Sequence, residues 1–203
     1  MARRPEFTIV AGPNGAGKSR LCQFYIHTPS FDGDKLMLML RKEHSDWPDR
    51  WIIGSVAGEL DKQKTMALEC KTDFAFETNF SNEMAVRMVR DFKDAGFKTS
   101  LCYFGLYSES DSISRVMLRV QTGGHDVDNE VVRFNFTEGI RNARQNLHLF
   151  DNITFVDGNS EELLNHVNNS NVHVTPEEKE FWNNKERTFI SANNPENLVL
   201  TKQ

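Results

Sequence analysis

The sequence predicts an α/β domain, a parallel sheet flanked by helices on both faces, and three observations predict it. Short β-branched and aromatic runs (Phe7–Val10, Phe74–Phe76, Thr99–Leu106, Ile153–Val156) alternate with longer segments whose apolar residues recur at helical spacing, the order that builds βαβ units. The run Thr99–Leu106 is almost unbroken in its apolar character, as a central parallel strand covered on both faces must be. Directly after the first run stand Gly12, Pro13, Asn14, Gly15, Ala16, Gly17, Lys18 and Ser19. Strand, glycine-rich turn and helix together are the setting of a phosphate-binding loop, so the expected fold is that of a P-loop NTPase.

The chemistry of such a loop accounts for its residues. Glycines let the backbone bend until successive N–H groups face phosphate oxygens, and a helix start adds partial positive charge. Lys18 would reach the β- and γ-phosphates of a nucleoside triphosphate, and the Ser19 hydroxyl would ligate Mg²⁺.

The remaining elements follow in order. A helix is expected from Ser19 to about His27, ended by Thr28-Pro29. The stretch Phe31-Asp32-Gly33-Asp34 would lie just past a strand's C-terminal end, where an open parallel sheet meets its ligand. A helical stretch from Lys35 breaks at Asp46-Trp47-Pro48. A longer helix over 49–71 carries Ile53, Val56, Ala57 and Leu60 on one face. The strand Phe74–Phe76 ends in Glu77, Thr78 and Asn79, with Ser81 or Asn79 as the next helix cap. That helix has a core stripe of Ala85, Met88, Val89 and Phe92 and stops near Gly96. Ser108 or Ser110 starts a helix with Ile113, Val116, Met117 and Val120 inward and Arg115 and Arg119 on a flank. Gly123-Gly124-His125-Asp126-Val127 breaks it. The next helix turns Val132, Phe136, Ile140, Ala143 and Leu147 to one face and Arg133, Thr137, Arg141, Arg144 and His148 to another. The late strand Ile153–Val156 ends in Asp157-Gly158. A short helix capped by Ser160 follows, then a last one opened by Thr175-Pro176. No repeat or linker interrupts the chain: one domain over residues 1–190 is expected, with a lid segment at about 109–148 and a polar tail over 191–203.

Composition excludes several classes. A formal net charge of −5 lacks the basic surface that displaces counterions, so no nucleic-acid partner is expected. Three widely spaced cysteines do not make a disulfide framework. Arg3-Arg4 is followed by no signal-type apolar region, and the longest apolar run, Leu36–Leu40, is far too short for a bilayer. No membrane association is expected, and the cytoplasm is the expected location.

A triphosphate site alone does not choose among kinases, motor ATPases, GTPases and transporters. The chain has no Asn-Lys-x-Asp guanine-reading sequence, no Leu-Ser-Gly-Gly-Gln signature and no long apolar strand ending in Asp-Glu. It does have carboxylates at predicted strand ends and arginines around a glycine break, which suits a small-molecule kinase. There a carboxylate takes the acceptor's hydroxyl proton and arginines cover the charge of the transferring phosphoryl group. The alternative is a nucleotide-gated interaction protein or slow ATPase without an acceptor.

The loop Gly12–Ser19, Phe31-Asp32-Gly33-Asp34, Phe76-Glu77-Thr78-Asn79-Phe80-Ser81, Arg115-Val116, Arg119-Val120, Gly123-Gly124-His125-Asp126-Val127 and Arg133 together resemble the zeta-toxin family of P-loop kinases, over about residues 5–157. The resemblance implies a kinase-like fold, ATP and Mg²⁺ as cofactors, and a small-molecule hydroxyl acceptor. In the family's toxins the acceptor is UDP-N-acetylglucosamine, and some members are held inactive by an antitoxin protein. By motif position Asp34 resembles the catalytic base, and Arg119 and Arg133 resemble the phosphate-clamping arginines. Glu77, with Thr78 and Asn79, resembles the substrate-side segment. Phe134 stands where relatives often have a second basic residue, and the chain looks more like the compact bacterial branch than the toxins proper.

Plainer readings stand beside these. Asp32 and Asp34 could be an ordinary Asp-Gly turn, and Glu77 could serve magnesium through water instead of substrate. Arg115, Arg141 and Arg144 read as solvated helix faces or ion pairs. His125 reads as a structuring hydrogen-bond partner, His148 as surface, and Cys22 and Cys102 as core thiols.

Overall fold

The computed structural model describes residues 3–121, 123–124, 126–158 and 163–168. Among these, the strands β1 (Glu6–Ala11), β2 (Ser30–Asp32), β3 (Phe74–Thr78), β4 (Lys98–Gly105), β5 (Asn152–Asp157) and β6 (Leu163–Asn168) form one sheet in the order β2-β3-β1-β4-β5-β6. The first five run parallel, and β6 adds an antiparallel edge to β5. The helices are α1 (Lys18–Leu21), α2 (Gly33–Glu43), α3 (Asp49–Cys70), α4 (Glu83–Asp94), α5 (Glu109–Gln121) and α6 (Asn129–Gln145). The α/β P-loop NTPase architecture is therefore the one the sequence predicts.

The apolar runs form strands because each can bury its side chains. Phe7, Ile9 and Val10 are wholly buried, and β1 has parallel partners on both sides, Ile9 lying between Phe76 and Leu101. The predicted stripe of α4 reaches the core intact: Ala85, Met88, Val89 and Phe92 are buried, and the Phe92 ring stacks on Phe7 with centroids 4.1 Å apart. Val132, Phe136, Ile140, Ala143 and Leu147 are likewise buried, so α6 is fixed to the core along its length. Among the described residues no helix is long and apolar enough to cross a membrane.

Several local expectations are corrected. The helix expected from Ser19 lasts only to Leu21 and tightens into a 3-10 turn, Cys22–Phe24, because the Cys22 carbonyl accepts from the N–H groups of both Tyr25 and Ile26. In α3 the buried residues are Ile52, Leu60 and Ala67, while Ile53 is exposed; two adjacent isoleucines left the face ambiguous by one position. Met117 of α5 is exposed and Ser112 buried in its place. The cap of α4 is Asn82, whose Oδ1 accepts from Met84 and Ala85, so Asn79 and Ser81 are left for other work. Where a short helix was expected after Ser160, Leu163–Asn168 is the edge strand β6. Ser160, Thr175-Pro176, the tail 191–203 and His125 lie outside the described residues.

Candidate active site

The parallel strands bring their C-terminal ends to one edge of the sheet, the edge where ligands bind in open α/β folds. From β1 comes the glycine loop. From β2 come Asp32 and Asp34, from β3 Glu77 and Asn79, from β5 Gly158, and α5 follows β4. A cleft of about 790 Å³ opens there, within the usual range for a small-ligand site. Lys18, Ser19, Asp32, Asp34, Glu77, Arg115 and Arg119 all line it.

The loop is held from three sides. Gly12 has φ +142°, and any Cβ there would run into the carbonyl oxygen of Phe104, so only glycine fits between β1 and β4. The buried Ser112 Oγ donates to the Asn14 carbonyl at 2.6 Å, and Asn135 Nδ2 donates to Asn14 Oδ1 at 2.9 Å. Arg115 Nη1 donates to the carbonyls of Gly158 (2.7 Å) and Gly15 (3.4 Å). Arg115 is thus half-buried in the cleft wall and ties the loop to the end of β5, where a solvated helix face was expected.

Lys18 is buried, and its ammonium donates to Gly12 O (2.9 Å), Pro13 O (3.0 Å) and Asn79 Oδ1 (3.1 Å), which uses all three of its protons. Burial lowers its pKa from the usual lysine value. The carboxylates of Glu77, Asp34 and Asp32 pull the other way, and Arg119 adds to the drop. Ser19 Oγ donates to Glu77 Oε1 at 2.7 Å. Glu77 Oε2 is shut from solvent without a hydrogen-bond partner among the described residues. Glu77 is pushed above the usual carboxylate range by burial first; Lys18 counters this and Asp32 adds to it.

Asp32 and Asp34 have different positions. Asp32 caps α2, its Oδ1 accepting from the Lys35 N–H at 3.0 Å, whereas Asp34 sits exposed in the first turn of the helix and faces the cleft. Arg119 also lines the cleft. Behind it α5 ends on a left-handed Gly123 (φ +86°), with Gly123 N–H donating to Val120 O and Gly124 N–H to Arg119 O. A Cβ on Gly124 would overlap the Arg119 side chain. Arg133 lies exposed on α6 and is not among the residues that line the cleft. Thr78 Oγ1 accepts from the Phe80 N–H at 3.0 Å.

Sequence reasoning brought Lys18, Ser19, Asp34, Glu77 and Arg119 to one place, and they do share one cleft. It missed Asn135 and Ser112. The available signal was a polar residue inside a buried stripe: Asn135 stands directly before Phe136 and Ser112 directly before Ile113. Burial raises the pKa of both Cys22 and Cys102, as expected of core thiols.

No protein-family model matches the chain. An uncharacterized protein of Haemophilus influenzae is 23% identical over 127 residues, 62% of this chain and 88% of that protein. Among solved structures, the PezAT chromosomal toxin–antitoxin system of Streptococcus pneumoniae aligns with a TM-score of 0.61 at 15% identity, over 91% of this chain and 85% of that one. The AvrRxo1-ORF1:AvrRxo1-ORF2 complex with ATP aligns with a TM-score of 0.63 at 14% identity, over 100% of this chain and 67% of that one. At these identities the likeness is one of fold, shared over most of the chain with both structures.

Proposed function

We propose that the protein is an ATP-dependent kinase that transfers the γ-phosphate to a hydroxyl of a small molecule. The observation that carries this reading is the meeting of Lys18, Ser19, Glu77, Asp34 and Arg119 around one cleft. The solved complex of AvrRxo1-ORF1 with ATP, which shares the fold, supports the choice of nucleotide.

Each residue has a task set by its position. The glycine loop cradles the phosphates, and Lys18 exchanges carbonyl partners for phosphate oxygens. Asp34, exposed and lining the cleft, accepts the proton of the acceptor hydroxyl as its oxygen attacks the γ-phosphorus and the bond to the β-phosphate oxygen breaks. Arg119 faces the charge that spreads over the transferring group. Arg133 contributes less, from its exposed place on α6.

The residues present suit magnesium. Ser19 gives its proton to Glu77 and so keeps its lone pairs for a cation, and Glu77 has a buried second oxygen to offer. No cluster of three ligating side chains is present among the described residues, and none is needed, since Mg²⁺ on a triphosphate takes one or two protein ligands with water and phosphate oxygens. Magnesium would supply charge neutralisation at the β- and γ-phosphate oxygens. On this reading Glu77 serves the cation more than the acceptor.

A UDP-sugar such as UDP-N-acetylglucosamine is the acceptor class the sequence resemblance suggests, and an antitoxin is the corresponding protein partner; the likeness in fold to the PezAT toxin–antitoxin system supports the second. The test is a phosphotransfer screen with γ-labelled ATP against UDP-sugars and other hydroxylated metabolites. A phosphorylated acceptor is the expected outcome. Release of ADP and inorganic phosphate with no labelled acceptor would instead point to a slow ATPase.

A further inference from the structure

Phe80 has φ +58° although it is bulky and wholly buried. Left-handed backbone is unfavourable for such a residue and persists only where the surroundings over-determine it. Here they do, and the constraint comes from α6. Asn135, Gly139 and Asn142 lie at helical spacing on one face of that helix, and each meets the segment Asn79–Ser81. Ser81 Oγ donates to Asn135 Oδ1 at 2.7 Å. Gly139 lets the Asn79 carbonyl approach so closely that any Cβ would collide with its oxygen. Asn142 Nδ2 donates to the Phe80 carbonyl at 3.0 Å. The turn so fixed aims Asn79 Oδ1 at Lys18 Nζ.

Of the three acceptors around the Lys18 ammonium, two are carbonyls fixed in the glycine loop; Asn79 supplies the one carried on a rotatable side chain. It is the partner that can follow the ammonium when a phosphate arrives.

We propose that Asn79 is a positioning residue for Lys18, held in place by a strained turn at Phe80 that Asn135, Gly139 and Asn142 clamp from α6. Before nucleotide binds, the turn keeps the buried lysine pointed across the loop. On binding, the ammonium exchanges a loop carbonyl for a phosphate oxygen, and Asn79 Oδ1 keeps its bond and so holds the charge aimed at the phosphates. This rests on the reading of Lys18 as a phosphate ligand.

The test uses the full chain and a fluorescent ATP analogue. Dissociation constants are compared for Asn79→Ala, Asn142→Ala and Gly139→Ala, alone and combined with Lys18→Ala, with Thr137→Ala on the outer face of α6 as control. The three variants are expected to weaken binding about tenfold, the scale of a lost hydrogen bond to a charged group, with little further loss once Lys18 is absent. Thr137→Ala binds as the unaltered chain does. A second readout needs no nucleotide: acylation of Lys18, followed by peptide mass, should speed up several-fold in Asn79→Ala and Asn142→Ala while that of surface Lys62 does not change. Equal losses in both backgrounds, with Lys18 acylation unchanged, would overturn the proposal and leave a merely structural loop. Absence of phosphotransfer in the acceptor screen would remove the kinase reading without touching this one, whereas absence of nucleotide binding by the unaltered chain would overturn both.

Discussion

The two walls of the cleft are built to different standards. On the phosphate side nearly every group is fixed: Gly12 is wedged against Phe104, Asn14 is held by Ser112 and Asn135, and Lys18 is buried with its protons all placed. Where α2 lines the cleft, the helix has no buried residue at all. Asp34 and Leu38 are exposed, Asp32 Oδ1 caps the helix start, and Arg41–Asp49 joins the end of α2 to the start of α3. Triphosphates are chemically constant, so a rigid backbone cradle suits them. Acceptors differ, and a lightly anchored helix can change its side chains at little cost to the core. Phosphate binding should therefore fail steeply when the first wall is altered, while alterations on the second change the reaction without changing nucleotide affinity.

The largest expected effect is on the rigid wall. Lys18→Ala should abolish turnover and weaken nucleotide binding by at least tenfold, about the cost of losing a charge-assisted hydrogen bond; titration with an ATP analogue and a single-turnover assay check it. Undiminished catalysis would break the comparison outright.

Arginines come next, and they divide by position. Arg119→Ala, inside the cleft, should lower kcat by roughly 10²–10³-fold, the range seen when a transition-state donor is removed. Arg133→Ala should lower it far less, because that side chain starts from the solvent face of α6. Lysine at 119 should rescue only in part, since it cannot fork across two oxygens. Equal losses at both positions would show that the residues around Gly123-Gly124 rearrange more than the present geometry implies.

The smallest effect concerns stability. Glu77 binds its proton more tightly in the folded chain than at its ordinary value of 4.5. Folded-state stability therefore falls as pH rises from 4.5 through the raised value, and the cost is fully present above it. Glu77→Gln removes that cost, so it should melt a few degrees higher than the unaltered chain at pH 8, with the gain shrinking as pH falls toward 4.5. It should also lose activity and its dependence on magnesium. A lower melting temperature at pH 8 would mean that the bond from Ser19 outweighs the burial of the carboxyl.

How far the sequence could be read follows the same division. The strand, loop and lysine of the phosphate wall are local in the chain, and their chemistry demands particular residues, so Gly12–Ser19 declared itself. The stripes of α4 and α6 were legible because Phe92 or Phe136 sits at clean helical spacing from its neighbours. Illegible parts depend on tertiary partners. Ile52 and Ile53 are equivalent until α3 meets the sheet. Leu163–Asn168 is short and mixed in pattern, and it becomes a strand only because β5 offers an open edge. Asn135 and Asn142 were invisible as a clamp because the loop they hold is more than fifty residues upstream in the chain. Arg115 looked like surface because nothing in the sequence shows that Gly158 comes to lie beside the glycine loop.

The most direct test of two walls with separate tasks is Asp34→Asn, with nucleotide affinity and phosphotransfer measured on the same preparation. The substitution keeps the shape and removes the proton acceptor. Turnover to the identified acceptor should fall by about 10²–10⁴-fold, while the dissociation constant for ATP with magnesium stays as it was. Loss of ATP affinity in step with turnover would contradict the account: Asp34 would then belong to the phosphate and cation site, and the exposed wall would not be where the acceptor is activated.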